Sequence, residues 1–200
     1  MNIIAGLGNP GNPYRLTRHN MGYLVVDALA DNCGIPIQKK KFEALLGDGR
    51  IAERRVLLVK PQTFMNLSGM SLRQVLDFYQ KTTADLLVVH DDLDLSFGTV
   101  RVKVGGGDGG HKGIRSLIEH LGDANFTRVR LGIGKPPFKE EVEHYVLQTF
   151  PKADLEPLAV VVRTGCDAVL EILGSGVRPA MNRFNTRERQ PSPDTNNSSE

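Results

Sequence analysis

Residues 3–13 read Ile3-Ile4-Ala5-Gly6-Leu7-Gly8-Asn9-Pro10-Gly11-Asn12-Pro13, an apolar, strand-like run that breaks into a glycine-rich turn. Gly6, Gly8 and Gly11 match the G-x-G-x-x-G spacing of a dinucleotide loop. Asp27 or Asp31 stands roughly 20 residues downstream, where such a loop expects an acid. A true fingerprint opens a helix at once, so that the helix N-terminus meets the pyrophosphate. Here Pro10 and Pro13 bracket the third glycine, removing N–H donors and pushing the preceding residues away from helical angles. The next helical pattern begins only near Asn20. The stretch therefore predicts a buried first strand and a polar turn rather than a nucleotide cradle. At the mouth of that turn it places Thr17-Arg18-His19-Asn20.

Outward from this point the chain alternates strands and helices. Asn2 to Leu7 is the first strand. Asn20 to Asn32 carries Met21, Leu24, Val25, Ala28 and Leu29 on one helical face, and Gly34 and Pro36 stop it. Glu43 to Ile51 and Arg55 to Lys60 read as a hairpin. Ser68 reads as the N-cap of a helix to Tyr79. Asp85 to His90, Val100 to Val104 and Arg128 to Ile133 read as further strands. His111 to Leu121 is helical, with Gly122 as its C′ residue. Pro151 to Leu173 is a long helical tract closed by Gly174. This order predicts one α/β domain over residues 1–186, a three-layer αβα arrangement with helices on both faces of a mostly parallel mixed sheet. Residues 187–200, rich in Ser, Asn and Pro, predict a disordered tail.

Two hundred residues with 40% hydrophobic and 24% charged content suit one soluble domain with a sizeable core. Cys33 and Cys166 fall on helix faces and form no C-x-x-C, as core thiols in a reducing compartment do. There is no signal-peptide pattern and no long apolar run, so a cytoplasmic or organelle-matrix protein away from membranes is expected. The net charge of +2 is unevenly spread. From Gly98 to Lys139 eight Lys and Arg face three acids, which leaves the remainder slightly acidic. A one-sided basic region on a near-neutral protein fits a polyanionic partner, although a solvated face gives the same pattern.

Sites in α/β folds gather beyond the carboxyl ends of strands. Four groups of chemically able residues fall there. His19 precedes a helix, where the dipole disfavours imidazolium and keeps the ring neutral, as a general base requires; a capping role fits the same position. His90-Asp91-Asp92-Leu93-Asp94 ends a buried strand. One of its carboxylates could orient His19, and the rest read equally as solvated acids. His and Asp cluster here, but no H-E-x-x-H or cysteine pattern supports a metal. Asn9 and Asn66 could donate to an oxyanion or serve as turn residues. Gly105 to Gly110 lets backbone amides approach a ligand and leads into His111-Lys112-Gly113 at a helix N-terminus. Arg101 and Lys103 alternate on the strand before it, two cations on one face. No serine or cysteine sits in a nucleophile elbow, so a hydrolase built this way would activate water.

Together the blocks GLGNPG (6–11), Tyr14, TRHNMG (17–22), KPQTFMNLSG (60–69), HDDLDL (90–95), GGGDGGHKG (105–113) and RVRLGIGKP (128–136) resemble bacterial peptidyl-tRNA hydrolase, in family order and over roughly residues 1–185. The resemblance implies a monomeric αβα enzyme without metal or cofactor that cleaves the ester between a peptide and the 3′ ribose of tRNA. By position His19 matches the family's base and Asp91 the acid that orients it. Asn9 and Asn66 match the amides that place water and the peptide carbonyl, and Tyr14 lines the same crevice. Arg101 and Lys103 match a basic pair that grips the tRNA 5′ phosphate. Lys112 departs from the pattern, standing where the family commonly has Asn, and is expected to serve the tRNA backbone or the ester carbonyl. Three alternatives are a splicing relative that binds RNA without catalysis, a metal-dependent protease of similar fold and a dinucleotide enzyme. The joint presence of His19, Asp91 and Asn66 speaks against the first, and the prolines speak against the last.

Overall fold

The computed structural model describes residues 1–186, and the tail expected at 187–200 lies outside them. The described chain runs β1 (Asn2–Gly6), α1 (Met21–Cys33), β2 (Lys39–Lys41), β3 (Ala44–Ile51), β4 (Arg54–Pro61), α2 (Ser68–Phe78), β5 (Leu86–Asp92), β6 (Val100–Val104), α3 (Lys112–Leu121), β7 (Thr127–Gly132), α4 (Val142–Leu147), α5 (Leu155–Ser175) and α6 (Val177–Phe184). One mixed sheet has the order β2-β3-β4-β1-β5-β7-β6. Its centre, β4-β1-β5-β7, is parallel, and its outer pairs are antiparallel. Tight turns explain the antiparallel side. Ala52 and Glu53 both take positive φ between β3 and β4, the backbone a two-residue hairpin needs to match strand twist.

The strands are apolar on both faces because helices cover both. Ile4, Leu58, Val89 and Val129 face α1 and α5, where Val25, Val161 and Val169 meet them. Ile3, Leu57, Val88 and Phe126 face α2 and α3, where Leu72, Ile114 and Leu117 close the other layer. The expected three-layer domain is therefore present.

Several element limits differ from expectation. Ser68 does not cap α2: it is the first helical residue, and its hydroxyl donates to the Met65 carbonyl at 2.9 Å. The tract from Pro151 opens with a single tight turn. Its helix, α5, runs to Ser175 and ends at Gly176, where φ is 99°, rather than at Gly174. Strand β2 and helices α4 and α6 were not anticipated. The first is a lysine triplet without alternation, and the second has only 6 residues. Cys33 and Cys166 are free thiols on α1 and α5, with Cys166 buried.

The glycines of the opening stretch serve packing. A Cβ on Gly6 would collide with the Gly22 carbonyl, and one on Gly8 would lie 2.7 Å from the Tyr23 ring. Helix α1 thus lies directly on the end of β1, which brings His19 to the sheet's carboxyl edge.

Candidate active site

The turn from β1 carries Asn9, and a one-turn helix, Arg18–Asn20, carries His19. Asn20 joins the two. Its Oδ1 accepts from the Asn9 N–H at 2.8 Å, and its Nδ2 donates to the Asn9 carbonyl at 3.0 Å. The Asn9 side chain in turn accepts the Met65 N–H at its Oδ1, at 2.8 Å. That bond fixes the amide's orientation and leaves its NH2 end for the crevice. Asn20 had no role in the sequence reading. Its position beside His19 was the only hint.

His19 and Asp91 meet as expected. Asp91, at the end of β5, is buried, and the His19 Nδ1 lies 2.9 Å and 3.0 Å from its two oxygens. A second histidine, which sequence reasoning missed, completes the site: His111 Nε2 lies 3.0 Å from Asp91 Oδ1. Its tautomer follows from its neighbours. Nδ1 accepts the N–H groups of Gly113 and Ile114 at 3.1 and 3.2 Å, as the N-cap of α3, so the proton of the neutral ring sits on Nε2 and is donated to Asp91. Asp91 can then also accept from His19 Nδ1–H, which leaves the lone pair of His19 on Nε2. Burial alone raises the Asp91 pKa. The charge of His19 and His111 when protonated, and their hydrogen bonds in either state, outweigh it and hold the carboxyl well below the usual range.

His90 stands behind this pair with its ring 4.9 Å from that of His111. Burial first, and the His111 charge next, push its pKa well below the ordinary value. The neutral ring donates Nδ1–H to the Asp91 carbonyl at 2.6 Å, and its buried Nε2 has no partner among the described residues.

Asn9, His19, Asp91 and His111 open into a cavity of about 650 Å³, which Tyr14, Phe64 and Asn66 also line. Asn66 is exposed on the turn before α2. The opposite wall is α4, through Val142, Glu143, Val146 and Leu147. Backbone bonds tie the segment after α4 to the histidine turn: Arg18 N–H to Gln148 O and Phe150 N–H to Leu16 O, each at 3.1 Å. The Arg18 guanidinium lies 4.4 Å from the Tyr145 ring centre. Lys112 reaches across the cavity mouth to the Glu143 carboxylate.

Arg101 and Lys103 point from one strand face to different partners. The Arg101 guanidinium donates to the Asn185 carbonyl. Lys103 instead joins Arg128 and Arg130 around a second depression of about 190 Å³. Arg128 is fixed by the carbonyls of Gly106 and Gly107 at 2.6 and 2.7 Å, and Arg130 by Asp92 at 2.6 Å. Cross-strand register sets Lys103 opposite Arg128 and Arg101 opposite Arg130, which puts all four on one sheet face, and its bond to Asn185 sets Arg101 apart.

Among the described residues His19, Asp91 and His111 offer ligand atoms within 4.8 Å of one another. A metal there would have to replace both N–H bonds to Asp91. As placed, the three residues satisfy one another. No helix among the described residues is long and apolar enough to cross a membrane.

The peptidyl-tRNA hydrolase family model matches residues 3–192. A peptidyl-tRNA hydrolase of Geobacter sp. (strain M21) is 48% identical over 185 residues, covering 92% of this chain and 98% of the relative. One from Brevibacillus brevis is 46% identical over 189 residues, covering 94% of this chain and 100% of the relative. The crystal structure of peptidyl-tRNA hydrolase from Acinetobacter baumannii superposes with a TM-score of 0.88 at 39% identity, over 94% of this chain and 96% of that one.

Proposed function

The chain belongs to the peptidyl-tRNA hydrolase family, and from that premise we propose that it hydrolyses the ester between a peptide, or an N-blocked amino acid, and the 3′ ribose of tRNA. The observation that carries this reading is the free Nε2 of His19, held by Asp91 through Nδ1 in a crevice with Asn9. Neutral His19 takes a proton from water as general base. The hydroxide oxygen attacks the ester carbon. Asp91 stabilises the imidazolium, and His111 fixes Asp91. When the tetrahedral intermediate collapses, the C–O bond to the ribose breaks, and the His19 proton leaves with the ribose oxygen. Asn9 and Asn66 donate their amides to the developing oxyanion and the water. Tyr14 shapes the wall beside them.

Lys103 and Arg130 supply phosphate contacts, which give affinity without reading bases, while the buried Arg128 holds the loop carbonyls of Gly106 and Gly107 beside them. Arg101 contributes to the same basic face from its tether at Asn185. Lys112 serves the tRNA backbone. The enzyme acts without metal or cofactor, as a monomer in the cytoplasm, with peptidyl-tRNA as its partner. A binding-only relative has no need of a carboxylate shared by two histidines, which favours the enzyme. Release of N-acetylated amino acid from N-acetylaminoacyl-tRNA, with and without chelator, tests all of this. No release overturns the reading, and loss of release on chelation overturns its metal-free form.

A further inference from the structure

Lys112 opens α3, where the helix dipole disfavours a cation unless an anion offsets it. Glu143 supplies that anion, and the pair bridges two walls of the cavity mouth. Both side chains remain more than half exposed, at 54% and 76%, so the pair is weak and readily exchanged. The surroundings indicate what it exchanges for. Asp108 and Gly109 of the glycine loop, with Asp92 at the end of β5, line both the cavity with His19 and the depression with Lys103, Arg128 and Arg130. A polyanion occupying both must cross this loop, and Lys112 and Arg115 stand on the cavity side of the crossing. Arg115 is already held by Asp108, as well as being farther along α3. Among the described residues Lys112 is bound only by a side chain from the opposite wall.

We propose that Lys112 binds a phosphate of the tRNA acceptor end and that Glu143 is a competing anion which occupies Lys112 in the free protein. This rests on the reading of the substrate as peptidyl-tRNA. Glu143 therefore lowers affinity for the substrate and takes no part in the chemistry. It prevents an unmatched cation at the α3 N-terminus and makes binding depend on an incoming phosphate of sufficient charge.

The test compares wild type, Glu143→Gln, Lys112→Asn and the double variant on two substrates: N-acetylaminoacyl-tRNA and an N-acetylaminoacyl-adenosine ester that carries no phosphate. Glu143→Gln should lower KM for the tRNA substrate by up to about fivefold, the range of an exposed ion pair. Its log-log salt slope should stay close to wild type, because Lys112 makes the same phosphate contact in both proteins, whereas Lys112→Asn should flatten the slope by about 0.7–0.9, one lost contact. The phosphate-free ester should be cleaved as by wild type. In the Lys112→Asn background the Glu143 change should have no effect. An unchanged or raised KM in Glu143→Gln overturns the proposal, as does an equal shift on both substrates. Binding of a non-hydrolysable, amide-linked aminoacyl-tRNA, read by fluorescence anisotropy, reports the same exchange without turnover. Lack of hydrolysis by wild type would sink the enzymatic reading and leave this measurement to judge the exchange.

Discussion

His19 and His111 meet at one atom, Oδ1 of Asp91, each at 3.0 Å. Their free faces differ. The second nitrogen of His111 is consumed by two backbone N–H groups, whereas that of His19 is left for the crevice. One ring is a support and the other is available for proton transfer. His19→Ala should therefore lower kcat by about 10²–10⁴-fold, the usual cost of losing a general base, while circular dichroism shows an intact fold. Near-wild-type turnover in a folded His19→Ala protein would end the proposed mechanism.

His19 and Asp91 were visible in the sequence because each borders a strongly patterned element, His19 just before α1 and Asp91 at the end of β5. His111 was not. A cap residue declares itself only through the helix it starts, and its second role depends on α3 docking beside β5. Glu143 lies 31 residues from Lys112 on a helix too short to show periodicity. The grouping of Lys103 with Arg128 depends on strand register, which alternation within each strand does not reveal. The layers were legible because buried strands and amphipathic helices write their burial into the residue pattern, and the helix limits shifted where tight turns replaced caps.

Asp91→Asn should cut kcat more than tRNA affinity. An amide has one acceptor oxygen and an NH2 group that opposes one of the two incoming N–H donors, and it cannot stabilise imidazolium charge. A change confined to KM would make Asp91 a substrate contact. The same substitution has a signature in stability. The folded Asp91 carboxyl titrates below its unfolded value of about 3.9. A depressed carboxyl stabilises the fold above its unfolded value and loses that contribution as pH falls through the folded one. Wild type should thus lose stability below about pH 4, and Asp91→Asn should fall less steeply in urea titrations between about pH 6 and pH 2. Parallel curves would show that the pair contributes nothing to acid stability.

His111 has two separable roles. Asn is a favoured N-cap, so His111→Asn should keep α3 capped while its shorter side chain leaves Asp91 with one donor. Its kcat should drop by about tenfold or more, in the range of one hydrogen bond to a charged group, and its melting temperature should fall by less than that of His111→Ala. His111→Ala should show the same kcat loss and also lose about 0.5–2 kcal/mol of stability. Unchanged kcat in His111→Asn would reduce His111 to a cap.

Arg101 and Lys103 share a strand face but should respond differently to removal. Arg101 is tethered to the Asn185 carbonyl, and Asn185 also exchanges bonds of 2.9 and 2.8 Å with the Val102 backbone. Arg101→Ala should loosen the contact between β6 and the end of α6, lowering the melting temperature slightly, with a small effect on binding. Lys103 faces the depression with no carboxylate bonded to it, whereas Arg130 is bonded to Asp92 and Arg128 to the Gly106 and Gly107 carbonyls, so among these described residues Lys103 is the cation placed to meet a phosphate. Lys103→Ala should weaken tRNA binding and reduce the log-log salt slope by about 0.9 for one lost phosphate contact. Cleavage of the phosphate-free ester should be unaffected by either change. A larger salt-slope loss in Arg101→Ala than in Lys103→Ala would mean that Arg101 leaves Asn185 to hold the phosphate, and the assignment of the depression would have to be reversed.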